Sequence, residues 1–199
     1  MTDKKMEIVE KSLALIHSQG YGNTSLRDIL TAAGVGKGQF YYYFESKEEL
    51  GLAILQYSFE NWRQNVVQRI FHGEGSAAEK ILAMLDYTVQ CHAKNQAQHG
   101  CIFGNLAIEL SANNEKFRLA LKEVFECWSQ ELAIQLEHLT LQSPLIATQD
   151  PQVLARNIVG MLEGGILLMK NQQNLEILLS MTKLIEEMLG IADVHDGGK

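Results

Sequence analysis

Hydrophobic residues recur every three or four positions along most of the chain, with charged and polar residues between them. The first such stripe predicts a helix over about residues 3–19, which Gly20 ends because glycine is common just beyond helix C-termini. No strand-type alternation, internal repeat or low-complexity segment competes with this pattern. The sequence therefore predicts an all-α fold of about nine helices.

Residues 20–45 predict two short helices. One ends near Ala33, with Asn23 or Thr24 as its N-cap, and the other must fit within residues 35–45. Between them stands Gly34, which suits the three- or four-residue turn of a helix-turn-helix. We therefore expect a helix-turn-helix near the N-terminus.

Longer helices are predicted for the rest of the chain. Ser46, followed three residues later by Glu49, matches a capping box and indicates a fourth helix running to about Ile70. A bend and a short helix are expected near the two glycines of the segment QHGCIFGNLAIELS. The remaining helices are predicted over residues 76–95, 113–139, 151–170 and 174–190. A loop is predicted at 141–151.

The chain is acidic, with a formal net charge of -7 over 199 residues. Residues 1–50 carry six basic against seven acidic side chains, and residues 51–199 carry the other 11 against 17. A nearly neutral N-terminal quarter can still present a local basic face, so the acidity does not exclude DNA binding. It does exclude a strongly basic nucleic-acid binder.

Three cysteines, Cys91, Cys101 and Cys127, are odd in number, widely spaced and without a CxxC motif. This predicts free thiols, with neither a disulfide framework nor a zinc site. No apolar run reaches the roughly 18 residues that span a bilayer, and the N-terminus lacks the apolar stretch of a signal peptide. We expect a cytoplasmic protein with no membrane contact, metal ion or cofactor.

The segment GVGKGQFYYYF at residues 34–44 combines glycines, a lysine and aromatic residues. The segment does not match a Walker phosphate loop, because that motif needs glycine where Thr31 stands and serine or threonine where Gly38 stands. On a helix, Phe40 and Phe44 share an inward face with Tyr43 beside them. The outward arc holds Lys37, Gly38, Tyr41 and Tyr42, with Gln39 at its edge.

These outward residue types suit a DNA surface. Lysine neutralises phosphates, tyrosine hydroxyls bond phosphate oxygens, and glutamine can pair with an adenine edge. Gly38 lets the backbone approach DNA without an intervening side chain. The second helix of the pair is therefore a candidate recognition helix.

Residues 24–55, TSLRDILTAAGVGKGQFYYYFESKEELGLAIL, resemble the DNA-binding signature of the TetR-type transcriptional regulators. The resemblance extends over about residues 5–60 and departs from the family at Gly36, where serine or threonine is common. It implies an effector-released repressor, with a DNA-binding domain at 1–50 and an effector-binding and dimerisation domain at 51–199. The positions that it assigns to DNA contact are Thr24, Ser25, Lys37, Gly38, Gln39, Tyr41, Tyr42 and Lys47.

The resemblance also implies three partners: a double-stranded DNA operator, a second copy of the chain and a small-molecule effector. Residues 151–190 are the candidate dimer surface, since they are apolar and their glycines permit close helix approach. Asn105 and Glu109 are candidate polar anchors in an otherwise apolar effector pocket. The full set of effector candidates is Trp62, Met84, Tyr87, Cys101, Phe103, Asn105, Glu109, Phe125 and Trp128.

Cys101 supports a further hypothesis. It follows Gly100 at the expected bend, with His99 and His92 nearby, so a stabilised thiolate that senses electrophiles or oxidants is one interpretation and a buried inert thiol is the other. Two alternatives to a regulator stay open. One is a thiol-dependent helical enzyme that uses Cys101 and His99, and the other is an interaction module without DNA binding.

Overall fold

The computed structural model describes residues 3–139 and 148–192, and these residues contain helices and no strand. This confirms the predicted all-α class, with nine α-helices in the described part of the chain. The predicted loop at 141–151 lies mostly outside the described residues. The helices are α1 (Asp3–Gln19), α2 (Leu26–Ala33), α3 (Lys37–Tyr43), α4 (Lys47–Trp62), α5 (Ala77–Ala93), α6 (Ile102–Leu110), α7 (Glu115–His138), α8 (Pro151–Gln172) and α9 (Glu176–Leu189).

Helix α4 continues into a π-helical segment, Arg63–Phe71. At its end the N–H of His72 donates to the carbonyl of Val67 at 2.8 Å, a five-residue spacing. The expectation of one helical segment to about Ile70 is thus confirmed in extent. The change from α-helical to π-helical hydrogen bonds was not predicted, because an apolar stripe does not distinguish these two kinds of helix.

The described residues pack as two compact units. The first combines the chain up to Asn61 with Ile102–Glu123, and the second combines Trp62–Cys101 with the chain from Val124 onwards. Helix α6 and the start of α7 therefore belong with α1 to α4. The division at residue 50 that we inferred from the family resemblance concerns function and stays a prediction.

Each unit has its own apolar core. In the first unit Ile8, Ile29, Phe40, Leu50 and Phe117 are all completely buried. Burying side chains of this size stabilises the fold by about 1.5–3 kcal/mol each. In the second unit, α5, the part of α7 from Val124 onwards, α8 and α9 contribute buried residues to a main apolar cluster, and a smaller cluster surrounds Ile166.

Helices α8 and α9 approach closely at Gly165. A Cβ at this residue would lie 3.2 Å from Cγ of Met181. A Cβ at Gly160 or Gly164 would have nothing within 4 Å. The expected close helix approach therefore occurs within the chain at Gly165, whereas the other two glycines face open space.

Candidate DNA-binding surface

Ser25 is the N-cap of helix α2. The Ser25 hydroxyl accepts a hydrogen bond from the N–H of Asp28 at 3.2 Å, and the Asp28 carboxylate accepts one from the N–H of Ser25 at 2.8 Å. Hydrogen bonds to the Asp28 carboxylate from the Ser25 hydroxyl and from the Ser25 N–H lower the pKa of Asp28. The prediction of Asn23 or Thr24 as N-cap was wrong, because Thr24 is buried and its hydroxyl donates to the Gly20 carbonyl at 2.7 Å.

A three-residue turn joins α2 to α3. Gly34 adopts the left-handed conformation, with φ at 64°, that ends helices and favours glycine. The N–H of Val35 then donates to the carbonyl of Leu30 at 3.0 Å, and the Val35 side chain is buried. The predicted helix-turn-helix is therefore confirmed.

Helix α3 separates its aromatic residues between two faces. Phe40 and Phe44 are buried, with ring centroids 5.7 Å apart. Tyr41 and Tyr42 are 54% and 80% exposed. The predicted inward and outward faces are confirmed, and the exposed face also carries Lys37, Gly38 and Gln39.

The start of α3 has no side-chain cap. Gly36 has φ −81° and ψ 164°, the extended conformation usual for an N-cap, but offers no acceptor. A Cβ at Gly36 or Gly38 would meet nothing within 4 Å. The backbone of this end of α3 is therefore open to an approaching molecule.

Three of the residues assigned to DNA contact already have partners within the protein. The Thr24 hydroxyl donates to the Gly20 carbonyl, and the Ser25 hydroxyl donates to the Asp28 carboxylate at 2.6 Å. Lys47 Nζ donates to the Tyr21 carbonyl at 2.6 Å. Contact between these three side chains and DNA stays a prediction that requires each to leave or share its present partner.

Comparison with known families settles the class of protein. Residues 8–54 match the family described as bacterial regulatory proteins, tetR family, and residues 77–184 match the C-terminal domain of LmrA/YxaF-like transcriptional regulators. The chain belongs to the TetR family of transcriptional regulators. TetR-family regulators bind DNA operators, typically as dimers that respond to small ligands, and they are typically not enzymes. The enzyme and non-DNA-binding alternatives are not favoured.

Individual relatives agree with this assignment over nearly the whole chain. An uncharacterized HTH-type regulator in the lacX 3' region of Lactococcus lactis is 34% identical, covering 94% of this chain and 93% of that protein. The transcriptional repressor DhaR of Mycobacterium sp. (strain GP1) is 28% identical, and the match covers 94% of this chain and 93% of DhaR. A crystal structure of Escherichia coli NemR in its reduced form superposes with a TM-score of 0.79 at 25% identity. The superposition covers 94% of this chain and 97% of the NemR chain.

The effector candidates of this TetR-family protein lie in three places. Phe103, Asn105 and Glu109 lie on α6 in the first unit, where Phe103 is buried and Glu109 is exposed. Cys101 packs against a smaller apolar cluster of the second unit, around Ile166. The other five share the main cluster of the second unit: Trp62, Met84, Tyr87, Phe125 and Trp128.

Within the main cluster, the indole rings of Trp62 and Trp128 lie 5.6 Å apart. Trp128 Nε1 is buried and has no hydrogen-bond partner. Burial, with the neighbouring Cys91 thiol, raises the pKa of Tyr87 to about 12, so its hydroxyl stays protonated at neutral pH. An apolar cluster with two polar N–H and O–H groups suits the chemistry of a small-molecule site, although effector contact stays a prediction.

Cys101 lies beside a buried carboxyl group that the sequence did not reveal. Burial raises the pKa of Glu163 on α8, and a hydrogen bond with Cys101 partly opposes this shift. Glu163 Oε1 is buried without a hydrogen-bond partner. A neighbouring carboxylate disfavours a thiolate, so this pair works against the stabilised thiolate inferred from His99 and His92.

Helix α8 has one exposed face along its whole length. Val153, Gly160, Gly164 and Leu167 are spaced seven, four and three residues apart, which places them on one side, and all are exposed. By length and composition α8 also passes the test for a membrane span, a test that core helices of soluble proteins pass as well, and 44% of its apolar window is buried. Across residues 3–139 and 148–192, no group of three His, Cys, Asp or Glu side chains is arranged to hold a metal ion.

Tyr21 makes several contacts with residues distant in sequence, and the sequence did not indicate them. Its carbonyl binds Lys47 from 26 residues away, and its N–H binds Glu109 from 88 residues away. Its ring contacts Phe117, with centroids 5.4 Å apart. Local spacing carries no signal of such distant contacts, so this role was accessible only from the three-dimensional structure.

Proposed function

We infer that this TetR-family protein is a cytoplasmic repressor that binds a palindromic operator as a homodimer and is released by a small-molecule effector. The observation that carries this proposal is the division of α3, whose phenylalanines are buried while Tyr41 and Tyr42 are exposed. A large aromatic side chain that is 80% exposed, as Tyr42 is, leaves its ring and hydroxyl available to a partner.

The exposed face of α3 supports both positioning and sequence reading. Lys37 and the hydroxyls of Tyr41 and Tyr42 suit phosphate oxygens, whereas Gln39 suits the donor and acceptor pair of an adenine edge. Gly36 and Gly38 carry no side chain, so the first turn of α3 can approach DNA closely. This combination favours DNA binding through short contacts rather than through a strong positive charge.

The exposed faces of α8 and α9 support dimerisation through residues 151–190. Val153, Leu167 and Leu168 on α8 are between 42% and 49% exposed, and Leu179 and Leu184 on α9 are 37% and 45% exposed. Exposed apolar side chains on two neighbouring helices suit a surface that a partner covers. In such a dimer, an effector in the second unit would change the separation of the two recognition helices, which must match half-sites about 34 Å apart.

DNA binding is tested by footprinting on the DNA that flanks the protein's own gene. The wild type should protect a palindrome, and Tyr42→Ala and Lys37→Ala should each weaken binding by about 1–3 kcal/mol, or roughly 5- to 150-fold. Lys94→Ala, which removes an exposed lysine just after α5 and outside residues 151–190, is the matched control and should bind as the wild type does. Equal binding by Lys37→Ala, Tyr42→Ala and wild type would contradict the assigned surface.

Dimerisation is tested with two matched substitutions. Leu167→Glu places a charge on the exposed face of α8 and should convert the dimer to monomer in sedimentation experiments, because a buried unpaired charge is costly at an interface. Ile134→Glu changes a side chain of similar exposure, 44% against 49%, on α7 and should leave the dimer intact. A dimer that survives Leu167→Glu would remove α8 from the proposed interface.

Thiol sensing by Cys101 is a second candidate function. It is favoured by the half-buried thiol, which is not part of a disulfide, and by the similarity to NemR, which has been solved in a reduced form. If Cys101 is the sensor, hydrogen peroxide should weaken operator binding by the wild type, as its thiolate attacks the peroxide, forming a sulfenic acid and releasing hydroxide. Cys101→Ser should abolish this response, and Cys127→Ser should retain it.

A further inference from the structure

The turn between α1 and α2 is held by a carboxylate from α6. Glu109 Oε2 accepts a hydrogen bond from the N–H of Tyr21 at 3.0 Å, and Oε1 accepts one from the N–H of Gly22. A Cβ at Gly22 would lie 2.6 Å from Oε1, so glycine is what allows the carboxylate to come this close. Two successive backbone N–H groups aimed at one carboxylate make charge-assisted hydrogen bonds, which are stronger than neutral ones.

A lysine from α4 holds the other side of the same turn. Lys47 Nζ donates to the Tyr21 carbonyl at 2.6 Å and lies 4.2 Å from the centre of the Tyr21 ring. Burial lowers the pKa of Lys47, and the negative charge of Glu109 opposes this shift. The N–H of Tyr21 therefore faces an anionic side chain, and its carbonyl faces a cationic one.

The turn leads directly into the candidate DNA-binding surface. Thr24 is completely buried and bonded to Gly20, so the chain between Gly20 and Ser25 has little freedom. Ser25 caps α2, and α2 continues through the three-residue turn into α3. The position of Tyr21 thus determines where α2 starts and how α3 is presented.

We propose that Glu109 is a positioning residue for operator binding. Together with Lys47 it fixes the turn between α1 and α2, and through that turn it orients α2 and α3 toward DNA. This inference rests on the operator binding proposed above. Glu109 is exposed, so its contribution comes from the two backbone hydrogen bonds rather than from filling the apolar core.

The test compares Glu109→Gln with Glu115→Gln in the full chain. Glu115 pairs with Arg118 at 2.6 Å within α7, so its substitution removes a comparable exposed charge away from the turn. Glu109→Gln should weaken binding to the footprinted operator by about three- to tenfold, since one charge-assisted bond becomes neutral and the other is lost where an NH2 group replaces an acceptor oxygen. Glu115→Gln should bind as the wild type does.

Backbone amide exchange separates positioning from a general loss of stability. In the wild type, nuclear magnetic resonance should show slowly exchanging amides at Tyr21 and Gly22. Glu109→Gln should accelerate exchange at these two amides, while Ile54 in the core of α4 stays protected. Gly22→Ala, which pushes the carboxylate away without removing its charge, should reproduce both the faster exchange and the weaker operator binding.

Three results would overturn the inference. Unprotected amides at Tyr21 and Gly22 in the wild type would show that the carboxylate does not hold the turn. Unchanged operator affinity in Glu109→Gln, despite accelerated exchange, would show that the turn does not position the DNA-binding surface. A wild-type protein with protected amides that binds no operator would defeat the proposed function, and with it the positioning role.

Discussion

The uncapped start of α3 gives a direct test of the local energetics. We consider Gly36→Ser, which introduces the residue type common at this position in the family. The backbone of Gly36 is already extended, with φ −81° and ψ 164°, so serine fits without strain. Its Cβ would enter open space, and its hydroxyl would reach the free N–H groups of the first turn of α3.

The expected gain is small. Replacing an N-cap glycine by serine stabilises a helix by a few tenths of a kcal/mol, roughly 0.3, a net value that already includes the smaller number of unfolded conformations of serine. In a chain of this size such a gain raises the Tm by about 1 °C.

Urea unfolding and calorimetry of the protein without DNA measure this gain, and Gly36→Ala is the matched control. Alanine supplies the loss of unfolded conformations but no acceptor, so Gly36→Ser should be more stable than Gly36→Ala. Equal stability of the two variants would refute the capping argument. The added hydroxyl should also tighten operator binding, since it places one more group that can contact a phosphate at the start of α3.

Two further predictions concern the cores. The pKa of Glu163 is raised in the folded protein, so its negative charge opposes folding at neutral pH. Glu163→Gln should therefore raise the free energy of unfolding at pH 7. This gain should disappear below pH about 4, because the wild-type carboxyl is then protonated in both the folded and the unfolded state. Urea titrations at the two pH values measure it, and an advantage that grows in acid would contradict the sign. Gly51→Ala should destabilise by about 1–3 kcal/mol, because its Cβ would lie 2.7 Å from both Phe117 and Tyr21. The control Gly38→Ala enters open space within a helix and should be neutral or stabilising, so similar losses in both variants would contradict the steric explanation.

Helix positions were predictable from the sequence because glycines and capping residues mark the helix ends in this chain. Helix α1 was predicted over residues 3–19 and is observed at Asp3–Gln19, with Gly20 in the left-handed region directly after it. The faces of α3 were predictable for the same reason, since one apolar stripe with a fixed period separates Phe40 and Phe44 from Tyr41 and Tyr42.

Competition between neighbouring polar side chains was not predictable. Thr24 and Ser25 are both good N-cap residues, and only the three-dimensional structure shows that Thr24 turns back to Gly20 while Ser25 takes the cap. The positions of Glu109 and Glu163 were equally inaccessible, because each is defined by partners far away in sequence. Glu109 illustrates the difficulty: the same apolar surroundings that suggested a pocket anchor belong to a helix whose carboxylate binds a distant turn.

The sparse positive charge of the exposed face of α3 has a kinetic consequence. Each phosphate that a protein neutralises releases counterions and strengthens its hold on any DNA, regardless of sequence. With Lys37 as the only cation within α3, and in a chain of net charge -7, this indiscriminate attraction is weak. Such a regulator would spend little time sliding along random chromosomal DNA and would search for its operator mostly by free diffusion.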